Sequence, residues 1–557
     1  MGIPSYFSHV IRNYAKIVRS FSANKVQIHH LKMDCNSIIY DTFYKMEGQF
    51  SETRLINEVI TNIEKYIREI RPLETVHIAF DGVAPFAKMN QQRTRRYKSH
   101  LMTTLDFAKK PAWSTSNITP GTEFMNELSR RVGEAFRETH TMFGVHKVIV
   151  SGSDEIGEGE HKLFADIRAN PDTTKNIAVY GLDADLIMLS IFHMKYYKNA
   201  YIIREAPEFI KSSVKLDRED GLAIMDIGLM CYKLQGRETK VSPTTPSLLT
   251  KTPEQVSFAP QVPAQGGKGV VGGNRRFPLQ DYVFMCFLLG NDFLPHFPAL
   301  NIRTHGIATL TDLYSKVIGN YPGRRFISDT DQIQWKNVAL FIRELAKMEH
   351  PLLLEEYELR DKQDNRHWKI TTREEREIAF NNLPMMYRQE EKYICPTVPG
   401  WEARYYKSLL DGEMPTAVAA NYLEGLEWVF KYYSGDCPDW QWTYRYNYPP
   451  LFSDLQRCVP ENEMKLLGEC RTAFSAAEQL KYVLFTEQGA AAPLRPPAVV
   501  REGFAPKAQM TAERTREGIA DCVGRCTEGA NRRFPPPKIQ WAFCRYFWEA
   551  HVDFPEN

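Results

Sequence analysis

The sequence predicts an α/β fold built on a mostly parallel sheet, followed by a mainly helical region. Three observations predict it. Four short β-rich runs before about residue 190 each stop at an acid or a glycine. Helical stretches separate these runs, and strand-helix-strand alternation is the pattern of parallel pairing. Residues 305–480 read as mainly helical and rich in aromatics.

The four runs are residues 26–34, 75–81, 147–151 and 176–180. Between the first two, Leu55, Val59, Ile63, Ile67 and Ile70 recur at helical spacing, which predicts a helix over 51–70 with one apolar face. Residues 241–274 turn rich in Pro, Gly, Ser, Thr and Gln and read as a flexible insertion. A helix over 279–289 follows, closing at Gly290 and Asn291 with Asp292 just beyond. An Ala/Pro-rich stretch at 489–506 reads as a second surface loop before a compact C-terminal segment, and no internal repeat is evident.

With 70 Lys and Arg against 68 Asp and Glu, the formal charge is +2, so any nucleic-acid surface must be local. The longest strongly apolar run, 282–289, is far short of a bilayer span, which predicts a soluble chain without membrane contact. Met1-Gly2 invites myristoylation, but Tyr6 stands where that motif wants Ser or Thr. Ten scattered cysteines without a secretory signal point to reduced thiols inside the cell, and Cys522 and Cys526 lack the second ligand pair of a zinc site.

The acids carry the chemistry. Asp34, Asp81, Glu158, Glu160, Asp183, Asp185 and Asp292 almost all follow a predicted strand or close a predicted helix. Ligands of parallel sheets bind outside the carboxyl ends of the strands, so these residues can converge. Each also has an ordinary reading. A lone Asp at a strand end is commonly a turn former, the Asp183-Ala184-Asp185 pattern occurs in glycosyltransferases and plain loops, and Glu158 and Glu160 suit a first helical turn. Taken jointly they suit two hard divalent ions, which would make hydroxide at neutral pH and neutralise both oxygens of a phosphodiester displacement.

Seven residues beyond Asp81, Lys88, Gln92, Arg95 and Arg96 fall at i, i+4, i+7 and i+8, one face of a helix. A solvated basic helix is the ordinary reading; beside a metal site the face becomes a grip for a terminal phosphate, which favours an exonuclease over an internal cutter. Downstream, the aromatic run from Trp440 to Tyr448 reads either as core or as a stacking platform for unpaired bases.

These motifs, with Asp81-Gly82-Val83-Ala84-Pro85, Ile118-Thr119-Pro120-Gly121-Thr122-Glu123, Gly157-Glu158-Gly159-Glu160-His161-Lys162, Gly181-Leu182-Asp183-Ala184-Asp185 and Gly290-Asn291-Asp292-Phe293-Leu294-Pro295-His296, resemble the XRN family of eukaryotic 5′-to-3′ exoribonucleases. The resemblance covers residues 1 to about 300, and more weakly 428–455 and the C-terminus. It implies a PIN-like nuclease core at 1–240, the insertion at 241–274, a continuation of the core with its last acid at 275–305, a helical second conserved region wrapping the active site at 306–485, and a loop with the compact C-terminal segment at 486–557. It implies that the seven acids bind catalytic magnesium, two ions for which manganese can substitute. It further implies that Lys88, Gln92, Arg95 and Arg96 hold the 5′-monophosphate of single-stranded RNA, and that Tyr40 and Trp442 clamp its first bases, with Trp440 the alternative to Trp442. Histidine is usual at the position of Tyr40, so stacking can persist there without a titratable edge. Decapping machinery is expected to act upstream of a monomer, the cytoplasm is preferred to the nucleus, and the extra domains of the large members are not expected.

Two rivals stand beside this reading. A 5′ flap endonuclease or DNA exonuclease would use the same metal acids, since no residue here detects a 2′-hydroxyl. A catalytically inactive RNA-binding scaffold is the other, and the presence of all seven acids weighs against it.

Overall fold

A computed structural model describes residues 3, 5–14, 16–104, 113–206, 221–235, 277–364, 368, 371–484, 538–546, 549 and 551–553. The expected insertion at 241–274, the loop at 489–506 and Cys522 and Cys526 lie outside the described residues.

Seven strands form one sheet: β1 Val18–Ser20, β2 His30–Asp34, β3 Thr75–Ala79, β4 Lys147–Ser151, β5 Asp172–Tyr180, β6 Tyr197–Glu205 and β7 Leu222–Asp226, in the order β1-β7-β6-β5-β2-β3-β4. From β6 to β4 every pairing is parallel; β7 and β1 add an antiparallel edge. The mostly parallel α/β core is thus as the sequence predicts. The chain winds outward from β2 through β3 to β4, then returns to the other flank of β2 for β5 and β6. The winding reverses between β2 and β5, where open α/β sheets form a crevice.

Two strand predictions differ at their starts. β2 begins at His30 because Lys25 and Val26 donate to the carbonyl of Ser22 and close a turn there. β5 begins at Asp172, where polar residues conceal the strand; it pairs with Tyr197 and shifts register before Asn176. Strands β1, β6 and β7 were not predicted. The first is only three residues long, and β6 carries Lys198, Asn199 and Arg204 within its apolar pattern.

One face of the sheet is covered by helices Glu52–Ile70 and Glu123–Ala135, and Leu55, Val59, Ile63, Ile67 and Ile70 are all buried there against Leu31, Met33, Val76 and Ile78. Ser51 caps the first helix by accepting from the Arg54 amide, and Arg71 ends it in a left-handed turn. The other face, with Ile177, Val179 and Ile202, packs on helix Asp185–Phe192 and continues into the helical region. In that region Trp335–Asp361 and Pro415–Ser434 are the longest described helices. The second of these returns its C-terminal turn to the carboxyl edge of the sheet. The predicted helix after the insertion is present as Leu279–Cys286 with a tight turn Phe287–Leu289, and Gly290 takes φ 82, which glycine adopts readily. Near the C-terminus Lys538–Gln540 and His551–Asp553 pair as a short antiparallel ribbon.

Candidate active site

The acids meet where the winding reverses. Asp34 is the last residue of β2, Asp81 lies two residues past β3, Glu158 and Glu160 follow β4 at the start of helix Gly159–Ala169, and Asp183 and Asp185 follow β5. Asp292 arrives from the turn after Gly290. The metal-ligating atoms of Asp34, Glu160 and Asp183 lie within 4.8 Å of one another. Gly159 and Gly181 make room for this: a Cβ on Gly159 would sit 3.1 Å from Asp34 Oδ1 and 3.4 Å from Asp81 Oδ1, and one on Gly181 would strike Leu186 at 2.4 Å.

The loops are tied before any ligand arrives. The amide of Gly82 donates to the Gly157 carbonyl and that of Gly157 to the Val83 carbonyl, both at 2.8 Å. A Cβ on Gly82 would lie 1.7 Å from the Glu155 carbonyl oxygen, so the two acid-bearing loops touch backbone to backbone. Lys162 closes the strand ends by donating to the carbonyls of Phe80 (2.9 Å) and Gly152 (2.7 Å). Asp81 is held from both sides, by the Gly159 amide at 2.7 Å on Oδ1 and by the Asn36 side chain on Oδ2.

The basic helix, Phe86–Thr104, enters this cluster. Lys88 is buried, with its ammonium 2.6 Å from Glu158 Oε2 and 3.0 Å from Asp292 Oδ2, and Arg95 lies 3.5 Å from the same Asp292 oxygen. Gln92 accepts from buried Gln479 at 3.4 Å, and Gln479 also accepts from the Ala84 amide. Arg96 turns aside to Thr119 Oγ1 (3.1 Å) and the Ile118 carbonyl (3.3 Å). The four predicted grip residues therefore divide: Lys88 and Arg95 share a carboxylate of the acid cluster, Gln92 is held by helix Ala476–Val483, and Arg96 anchors the Ile118-Thr119 segment.

Burial governs the electrostatics. It pushes Asp34 well above the ordinary carboxylate range, with the charges of Asp81 and Asp183 adding to the effect. Glu160 is raised by burial against the pull of Lys88, with Glu158 and Asp185 pushing the same way as burial. Asp81 is raised by burial and by Glu158, and Asp185 reaches about 6 through burial and the nearby Asp292. Burial opposes ionisation of Asp292 too, yet Lys88 and Arg95 hold it below the ordinary range. Asp34 Oδ1 and Asp185 Oδ1 are buried without a hydrogen-bond partner. Unpaired buried carboxylate oxygens are costly, and a hard divalent cation would satisfy them. The donor set, oxygen throughout, fits such an ion.

Tyr432 and Tyr433, on helix Pro415–Ser434, are site residues that the sequence reading missed. Tyr432 donates to Glu158 Oε1 at 2.7 Å, and burial, with the charge of Asp185 after it, pushes the Tyr433 hydroxyl well above its ordinary range. A pair of tyrosines near a helix end has no motif, and only the tertiary fold delivers it across 250 or so residues from the acids. Asn36 was also missed, although an Asn two residues after a strand-end Asp is a common helix-start signal.

Of the stacking residues, Tyr40 is half-buried on helix Asn36–Lys45. Trp442 is buried and stacks on Trp428, with ring centres 5.2 Å apart. The stack continues through Tyr432 to His161, at 4.8 and 3.6 Å, and so reaches the residue after Glu160. Trp440 is half-buried beside Gly157, and its carbonyl accepts from the Phe86 amide.

Fold and site together define an α/β protein whose cluster of carboxylates, compatible with a divalent cation, lies at the carboxyl edge of a parallel sheet. The family model for the XRN 5′-3′ exonuclease N-terminus matches residues 1–206, and that for the Xrn1 helical domain matches 276–396 and 394–495. The chain belongs to the XRN 5′-to-3′ exonuclease family. It is 28% identical to the 5′-3′ exoribonuclease 2 homolog of Drosophila melanogaster, over 82% of this chain and 61% of that protein. It is 24% identical to 5′-3′ exoribonuclease 1 of Schizosaccharomyces pombe, over 87% of this chain and 44% of that one. The chain thus spans about three-fifths or less of these relatives. Among solved structures, the catalytic core of Rad2 in complex with DNA substrate aligns at 14% identity and a TM-score of 0.31, over 65% of this chain and 80% of that one, too low to weigh on fold or substrate.

Proposed function

We propose that this chain is a processive 5′-to-3′ exoribonuclease that hydrolyses single-stranded RNA bearing a 5′-monophosphate to mononucleotides. The observation that carries the reading is that Lys88 and Arg95 pair with carboxylates of the acid cluster itself, so a phosphate-binding group and a metal-type centre share one cavity wall. Two magnesium ions, or manganese in their place, would supply the hydroxide and the charge neutralisation that phosphodiester cleavage requires. Asp34, Glu160, Asp183 and Asp185 are the residues to hold them directly, and Asp81, Glu158 and Asp292 complete the set.

The chain's own residues do the rest. Lys88 is neutralised by Glu158 and Asp292, so it is desolvated and preset to meet a terminal phosphate oxygen, while half-exposed Arg95 adds a planar fork. Gln92 and Arg96 complete the pocket wall and are oriented by Gln479 and Thr119. Tyr40 and Trp442 stack on the leading bases in this reading, with Trp440 the alternative. Residues 1–240 and 275–305 act as the nuclease core and 306–485 as the region that closes it. The physiological role is RNA decay, as a monomer in the cytoplasm after decapping. Among the described residues no helix is long and apolar enough to cross a membrane.

The test is degradation of one 3′-labelled RNA carrying a 5′-monophosphate, hydroxyl, triphosphate or cap, beside matching DNA and a DNA flap, in magnesium. Rapid loss of the monophosphate RNA alone is expected, and Asp183→Ala should abolish it with RNA binding retained. Internal cuts or flap cleavage would replace the reading with an endonuclease, and binding without cleavage would replace it with a scaffold.

A further inference from the structure

Helix Ala476–Val483 lies against the basic helix Phe86–Thr104, and a capping box between Ser475 and Glu478 fixes its start. Val483 joins Val83, Phe86 and Met89 in a small buried cluster, and the Tyr482 ring packs on Phe86 with centres 5.1 Å apart. Gln479 falls on the same docking face, one turn before Val483, and is fully buried. A polar side chain placed there is costly unless its amide is engaged. Gln479 meets this demand at both ends: Oε1 accepts from the Ala84 amide at 3.0 Å, and Nε2 donates to Gln92 Oε1 at 3.4 Å.

These two bonds fix which way round each amide lies. A backbone N–H can only donate, so the Gln479 atom facing Ala84 is its oxygen, and the atom left to face Gln92 is its nitrogen. A nitrogen donor in turn requires the oxygen of Gln92, which sends the Gln92 N–H pair away from helix Ala476–Val483. Among the described residues no group accepts from that nitrogen. Gln92 shares its helix face with Lys88 and Arg95, whose charges meet at Asp292 Oδ2. The oxygens of a phosphate dianion only accept, so a Gln92 turned the other way would set a carbonyl oxygen against them. We infer that Gln479 is a positioning residue for end selection: it sets the Gln92 side chain as a donor, which favours a terminal phosphate over a neutral hydroxyl. Ala84 belongs to the turn that carries Asp81, so the same side chain keys this donor to the acid cluster. The inference rests on the reading of Lys88, Gln92, Arg95 and Arg96 as the grip for the 5′-phosphate.

The experiment uses the full chain carrying Asp183→Ala, which stops hydrolysis under the proposed function, as the parent. To it are added Gln479→Met, which keeps length and volume but removes both amide bonds, and Gln479→Glu, which offers an acceptor where Gln92 now meets a donor. Gln92→Leu, alone and with Gln479→Met, completes a double-mutant cycle. Tyr482→Phe is the control, because it removes a different bond from the same helix, to Asn90 Oδ1, and keeps the ring. Thermal melting reports that each variant is folded. Binding of one fluorescent RNA with a 5′-monophosphate or a 5′-hydroxyl is followed by anisotropy, and the ratio of the two affinities is the readout. Gln479→Met should reduce the preference for the monophosphate about three- to tenfold, Gln479→Glu by more, and Tyr482→Phe by less than about twofold. In the Gln92→Leu background Gln479→Met should change the preference no further. Equal losses for both RNAs from Gln479→Met, as a merely structural role gives, or losses that add in the double variant, would overturn the inference. A preference that depends on Gln479, in a chain that hydrolyses no RNA once Asp183 is restored, would refute the exoribonuclease reading and keep this assignment. A parent without preference for the phosphorylated end would remove both the grip and this inference.

Discussion

At the scale of single residues, burial keeps protons on carboxylates that a cation would have to displace. Asp185 keeps its proton to about pH 6 in the folded chain, against an ordinary 3.8, through burial first and Asp292 after it. Without metal, the folded chain therefore binds more protons than the unfolded chain between these values. The stability this group contributes is fully present below about pH 3.8 and is lost as the pH rises through about 6. Asp34 and Glu160 are shifted in the same direction. A divalent ion must displace these protons, so manganese affinity should fall about tenfold between pH 7 and pH 5 for one displaced proton. Calorimetry across that range checks it, and an affinity independent of pH would mean that the acids are already ionised. Individual acids were legible in the sequence because strand ends and carboxylates have local signatures. The ring stack from Trp442 to His161 was not, since its members come from three segments that share no spacing.

At the scale of elements, the closest approach is that of the Asp81-Gly82 turn to the loop before Glu158. Gly82→Ala would drive a methyl into the Glu155 carbonyl, which is backbone and cannot swing aside. We expect a loss of about 1–3 kcal/mol in chemical denaturation, and RNA turnover reduced by more than tenfold because the two acid loops separate. Parental turnover would show that the loops adjust independently. The same element shows where sequence reading stops. Period and composition indicated the helix that starts at Phe86 and its basic face, yet helical geometry alone puts Lys88, Gln92, Arg95 and Arg96 together. Their division among Asp292, Gln479 and Thr119 depends on segments placed against the helix by the tertiary fold. Likewise β5 was recognised only where its residues are buried, because the exposed polar start has no alternating pattern.

At the scale of the molecule, a buried charge group around Glu391 helps join the helical region to the C-terminal ribbon, beside the Arg303–Glu549 ion pair. Glu391 accepts from Arg360 and Arg388 and from the Phe543 amide, and Arg360 also donates to the Cys544 carbonyl. Removing the shared anion leaves buried Arg360 without its carboxylate, while Arg388 keeps Asp361 and Asp364. Glu391→Ala should cost about 3–5 kcal/mol and expose residues 541–544 to protease; unchanged stability would show that Trp541 and Phe543 packing and the Arg303–Glu549 ion pair suffice to hold the ribbon. The α/β core, its parallel sheet and the helical second region were readable because each has its own period. The way the regions interlock was not, since it rests on single contacts between distant segments.

The bond from Tyr432 to Glu158 has a consequence in time. Glu158 is synthesised 274 residues before Tyr432, and at about 5–20 residues per second a ribosome takes on the order of 14 to 55 seconds to cover that distance. Throughout that interval the growing polypeptide carries Glu158 without the hydroxyl that binds it. A site wired in this way stays incomplete beside the very message that encodes it until the helix that carries Tyr432 has been translated.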